Sequence, residues 1–271
     1  NNKTKREQMK VAVLITGQLR DYKVNYTNHI KHLIEPNNAD VFVYACTKNT
    51  IHSCGVSLEQ KYFLTNEYKE EEIKESVREI YGDYLKGAIV DKNEKLPEDN
   101  FGTLGYFRTR MQNQIDNIGK GFAMAKEYAK ENDFEYDVII RSRPDNSMYL
   151  LPVDVSRAEF KEDVIYSTIF TPPGHRDLCF FAMSDPKTFE KYCSYEYLKG
   201  EDPNRTDSDF KCTEHAWEDY LSSIGVQVRY VYDICRPFTG FDKTKPISDF
   251  PFRNKEAKLI DADGNLVDQV L

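Results

Sequence analysis

One segment concentrates groups able to do chemistry: Tyr136-Asp137-Val138-Ile139-Ile140-Arg141-Ser142-Arg143-Pro144-Asp145. If the apolar run is a strand, Arg141 and Arg143 stand two positions apart on one face. Two guanidiniums so placed call for an anion between them, and a diphosphate suits. Asp145 is a hard oxygen donor of the kind Mg²⁺ or Mn²⁺ takes alongside phosphate oxygens. In open α/β sheets ligands gather at the carboxyl ends of the strands. The plainer alternative is a strand end whose arginines pair with nearby carboxylates, Pro144 merely ending the strand.

Three further segments offer polar groups. Thr16-Gly17-Gln18-Leu19-Arg20 follows the apolar run Val11–Ile15. A glycine there lets backbone approach a ligand, and Gln18 and Arg20 offer hydrogen bonds to a base, ribose or phosphate. In Gly174-His175-Arg176-Asp177, Asp177 is the first choice for a base that takes an acceptor's proton. Glu214, in Thr213-Glu214-His215-Ala216-Trp217, is the second, although acids at helix starts also serve the helix dipole. Trp217 is expected in the core.

The elements that must position these residues follow from periodicity. Val11–Ile15, Asp40–Ala45 and Val138–Ile140 read as buried parallel strands. Residues 22–35 read as a helix closed by Pro36, completing a βαβ unit with right-handed crossover. Residues 56–86 are helical in period, Ile89-Val90 is a further strand, and 106–132 is the longest helical signal. Strands at 164–166 and 178–183 flank a loop at 171–177. Helices at 186–198 and 213–223, a strand at 226–232 and an Asp-Gly hairpin at 259–267 complete the chain.

Composition narrows the classes. The 271 residues carry 37 Lys+Arg against 45 Asp+Glu, a net charge of −8, which argues against a general nucleic-acid binder. With 13% aromatics the chain is too apolar-rich for disorder. No apolar run reaches the ~18 residues of a membrane span, and the polar residues 1–8 lack a signal-peptide core. None of the six cysteines forms a CxxC pair, which disfavours zinc and points to a reducing, cytoplasmic setting. The sequons at Asn25 and Asn204 are read as chance. Asp261–Asn265 is a turn, because a calcium loop's glutamate has no place before Leu271. The Gly-x-Ser-x-Gly elbow, Walker P-loop and HExxH are absent.

Together, "VAVLITGQLRDY", "NNADVFVYA", "RTRMQNQIDNIGKGFAMAKEY", "YDVIIRSRPD", "GHRDLCFFAMSD" and "TEHAWEDYLSSIGVQV" resemble GT-A-type glycosyltransferases related to the WavE-like lipopolysaccharide-synthesis proteins and their relatives in large DNA viruses. The resemblance spans about residues 9–235. It implies an α/β, Rossmann-type mixed sheet flanked by helices, in a single domain with a C-terminal hairpin extension at 236–271. Residues 9–150 would be its nucleotide half and 151–235 its acceptor half. It also implies a nucleotide-sugar donor (uridine favoured by analogy), a glycan acceptor and Mn²⁺ or Mg²⁺. Thr16, Gly17, Gln18 and Arg20 would meet the nucleotide, with Gln114 and Asn117 facing it from the long helix. Arg143-Pro144-Asp145 stands where many GT-A enzymes carry Asp-x-Asp, so Asp145 alone remains as metal carboxylate and Arg141 and Arg143 share the neutralising role. Two other classes stay open: a non-catalytic sugar-nucleotide or glycan-binding module, and a sugar nucleotidyltransferase.

Overall fold

The computed structural model describes residues 9–19, 22–51, 63–67, 69–92, 104–148, 153–156, 158, 160–170, 175–195, 213–232, 235–237, 259–260 and 266–267. Its frame is a mixed seven-stranded sheet. In chain order the strands and helices are β1 (Val11–Gln18), α1 (Tyr22–His29), β2 (Asp40–Cys46), β3 (Lys48–Ile51), β4 (Phe63–Glu67), α2 (Glu70–Tyr81), β5 (Leu85–Asp91), α3 (Leu104–Glu131), β6 (Val138–Ser142), β7 (Asn146–Met148), β8 (Val164–Phe170), β9 (His175–Ser184), α4 (Pro186–Cys193), α5 (Thr213–Ser223), β10 (Gln227–Tyr232), β11 (Cys235–Pro237), β12 (Leu259–Ile260) and β13 (Leu266–Val267). The sheet order is β10-β8-β9-β6-β1-β2-β5. Strands β6, β1, β2 and β5 run parallel, and β9 is antiparallel to both β6 and β8.

Alternation in the buried strands builds a layer on each face. Ala12 and Leu14 pack with Ile115, Ile118 and Phe122 of α3, Phe189 of α4 and Trp217 of α5. Val11, Val13 and Ile15 pack on the other face with Leu33 and Ile34 and with Ile73 and Val77 of α2. Both faces of the central strands are covered, so these strands read as continuous apolar runs.

Several expectations shift. The 22–35 helix is α1 only to His29; a π-helical turn (Ile30–Ile34) and a 3₁₀ turn (Glu35–Asn37) follow. Pro36 has no N–H to bond back to the carbonyl of His32. That carbonyl instead accepts from the Val153 backbone N–H at 2.8 Å. The helical reading of 56–86 shrinks to α2, because Phe63–Glu67 forms a strand with Lys48–Ile51. Glu70, Glu71 and Glu72 then occupy the first turn of α2, where they suit the helix dipole. The strand after the 171–177 loop begins earlier than its apolar residues suggest: His175, Arg176 and Asp177 pair with Phe170, Ile169 and Thr168. Their polar side chains hide a ladder set by backbone groups. The helix expected over 186–198 ends at Cys193. The terminal hairpin is present as β12–β13, and Trp217 is fully buried against Tyr192.

Candidate active site at the carboxyl ends of the central strands

Connections leave β1 in opposite directions. The chain runs by way of α1 to β2 and then β5 on one side, and α3 returns over the opposite face to β6 on the other. The crevice between the carboxyl ends of β1 and β6 is therefore the switch point of the sheet, where open α/β folds bind ligands. Register fixes what stands there. Ile15 is opposite Ser142, so Thr16, Gly17 and Gln18, still paired with β2, run on past the end of β6 beside Arg143, Pro144 and Asp145. Gly17 has φ +124°, a conformation that a side chain would strain. A Cβ on Gly17 would lie 3.9 Å from Pro144 Cδ.

The two arginines take separate places. Arg141 is 1% exposed and its Nε donates to Thr16 Oγ1 at 3.3 Å. Its charge reaches Cys193 of α4: burial pushes that thiol up, and Arg141 works against the rise. Arg143 pairs with Asp145, Nε to Oδ1 at 2.7 Å and Nη2 to Oδ2 at 2.5 Å. Its guanidinium carbon lies 4.1 Å from the centre of the Phe180 ring. Asp145 itself is 1% exposed. All three side chains are thus held inside the protein rather than in bulk water.

Helix α3 walls the crevice. Gly121 brings it so close to β1 that a Cβ there would lie 2.7 Å from Thr16 Cγ2. At 1.5 Å per residue, the 17 positions from Leu104 to Gly121 extend about 25 Å past this contact. Asn117, on that stretch, is buried and donates to Cys46 Sγ at 3.5 Å, at the end of β2. Gln114, nearly one turn earlier, is half-buried.

Neither expected base is described at side-chain level. The backbone of Asp177 faces Thr168 across the ladder, next to the pair Ser167–Ala182. That register jump absorbs residues 178–181, among them the Phe180 that underlies Arg143. Glu214 lies in the first turn of α5, whose far end leads into the start of β10. Arg20 lies outside the described residues.

A divalent cation finds a poor donor set here. Both oxygens of Asp145 accept from Arg143, and among the described residues no group of three or more His, Cys, Asp or Glu side chains is placed to hold a metal. The sequence reading missed Phe180 and a polar cluster at the neighbouring strand ends. In that cluster Tyr44 O–H donates to Asp91 Oδ2 at 2.6 Å, and Lys120 Nζ lies 3.3 Å from the same oxygen. Burial, then the bond to Asp91, pushes Tyr44 up to about 12. The one available signal was an acid closing the apolar pair Ile89-Val90. Asn25 is buried, so its sequon is closed to a glycan in the folded protein. No described helix is long and apolar enough to cross a membrane.

No family model matches the chain, and no curated protein matches it. Among solved structures it is similar to the apo-form glycosyltransferase GlyE of Streptococcus pneumoniae TIGR4, at 12% identity and a TM-score of 0.40, over 82% of this chain and 45% of that one. It is also similar to the mannosyltransferase Ktr4p of S. cerevisiae, at 11% identity and a TM-score of 0.29, over 60% of this chain and 39% of that one. The chain spans less than half the length of either structure, and likeness this slight carries no activity across.

Proposed function

We propose that residues 9–235 form a glycosyltransferase that moves a sugar from a nucleoside diphosphate donor, uridine favoured, to a glycan hydroxyl. The observation that supports it is the switch-point crevice itself. Gly17 and Gln18 end one strand there, and Arg141 and Arg143 end its parallel neighbour. The WavE-like sequence blocks supply the substrate class.

The chemistry follows from charge. The bond between the sugar's anomeric carbon and the diphosphate oxygen breaks, and its electron pair stays on the diphosphate. Guanidiniums fixed beforehand stabilise that growing negative charge without reorganising. The acceptor oxygen forms the new bond to the anomeric carbon, and its proton passes to a carboxylate, Asp177 first and Glu214 second.

Thermal unfolding of the full chain with UDP-, GDP- and TDP-sugars tests the reading. A donor at 100 times its Kd stabilises by ~2.7 kcal/mol; no shift with any of them refutes it. The engagement of Asp145 by Arg143 favours one second reading, a binding module without turnover. Release of free sugar and nucleoside diphosphate from a bound donor separates the two.

A further inference from the structure

Asp145 looks like a metal ligand in the sequence, but its surroundings give it another task. Its two oxygens accept from two nitrogens of one guanidinium. The carboxylate is 1% exposed and the arginine side chain 13%. The ring centre of Phe180, itself buried, lies 4.1 Å from the guanidinium carbon. An arginine cannot give up its proton to make room. A cation approaching Asp145 would meet two oxygens already engaged and a fixed positive charge at close range, and displacing Arg143 would strand that charge in a buried place.

The geometry points to a crevice that grips diphosphate without a divalent cation, with Asp145 as the positioning residue that sets the plane of Arg143. The fork–fork pair fixes the guanidinium in rotation, and the Phe180 ring fixes it from one side. Arg141 adds a second fixed guanidinium at the end of the same strand. This rests on the donor reading above, but the two fail differently.

The test is calorimetric titration of the full chain with UDP, GDP and TDP, each in EDTA and in MnCl₂. The expected result is one nucleoside diphosphate binding with the same Kd, within about twofold, in both buffers. The Mn²⁺ resonance spectrum should stay that of the free aquo ion when protein and nucleotide are added. Asp145→Asn, which keeps the shape and loses the charge, should weaken binding about tenfold in both buffers. Arg143→Lys, which keeps the charge and loses the fork, should do the same. Binding that appears only with Mn²⁺, or tightens tenfold or more with it and loses that gain in Asp145→Asn, overturns the inference and leaves the donor reading standing. No binding of any of the three in either buffer overturns both. The wild-type comparison needs no variant, so a misfolded substitution does not spare the idea.

Discussion

Gly121→Ala is the most searching substitution the structure suggests, because two effects of opposite sign meet at one atom. Alanine in a helix interior is favoured over glycine by ~1 kcal/mol. The added Cβ, however, would lie 2.7 Å from Thr16 Cγ2, about 1 Å inside ordinary carbon–carbon contact. Such overpacking costs ~1–3 kcal/mol. Thr16 is fully buried and its hydroxyl accepts from Arg141, so turning it aside gives up a hydrogen bond to a charged group, ~1.5–3 kcal/mol more. The sum is a destabilisation of about 1.5–5 kcal/mol, at the lower end where the helix relaxes. Gly119→Ala is the control: its Cβ would lie 3.9 Å from Cys193 Cβ, a comfortable distance, and should stabilise by up to ~1 kcal/mol. Urea unfolding of both variants reads the difference, and nucleotide affinity should fall for Gly121→Ala alone. Equal stability of the two would refute the argument that α3 is seated on Thr16.

Three other outcomes follow from the packing. Asn37→Ala should cost ~1–3 kcal/mol in urea unfolding, since its amide donates to the Leu33 and Val153 carbonyls and its oxygen accepts from the Val155 N–H. Burial, then Lys31, holds the His32 imidazole below its ordinary value. The neutral form is thus favoured in the fold, and stability is complete above about pH 6.5 and lost as pH falls towards the lowered folded value. Unfolding at pH 7.5 and 5.5 should show a loss that shrinks in His32→Asn, and an unchanged loss would count against this. Trp217→Ala should cost ~3–5 kcal/mol, because the ring stacks on Tyr192 at 4.4 Å and its N–H donates to the Tyr192 carbonyl. As the chain has one tryptophan, wild-type fluorescence should shift to the red in a single transition as that pocket opens.

The parts of the fold legible in the sequence are those where one period dominates. Val11–Ile15 and Val138–Ile140 are apolar on both faces because helices cover both, and α3 carries one stripe from Met111 to Ala129. What was hidden depends on backbone pairing or on partners far along the chain. The start of β9 is polar, and the π-helical turn precedes a 3₁₀ turn that holds Pro36. In the site, the strand end bearing Arg141, Arg143 and Asp145 was legible from spacing. Their partners were not: Thr16 lies 125 residues from Arg141, and Phe180 comes within reach through a jump in register that no periodicity encodes.

The carbonyl freed at His32 ties two distant stretches into one inherited unit. Val153 N–H answers it, and Asn37 grips Val153 and Val155 from the same turn. A descendant that replaced Pro36 would offer His32 a competing donor and leave Asn37 to hold the 153–155 stretch, just downstream of Asp145. Across diverged sequences, positions 36, 37 and 153–155 should therefore change in concert, an epistatic group whose members look unrelated when substituted singly.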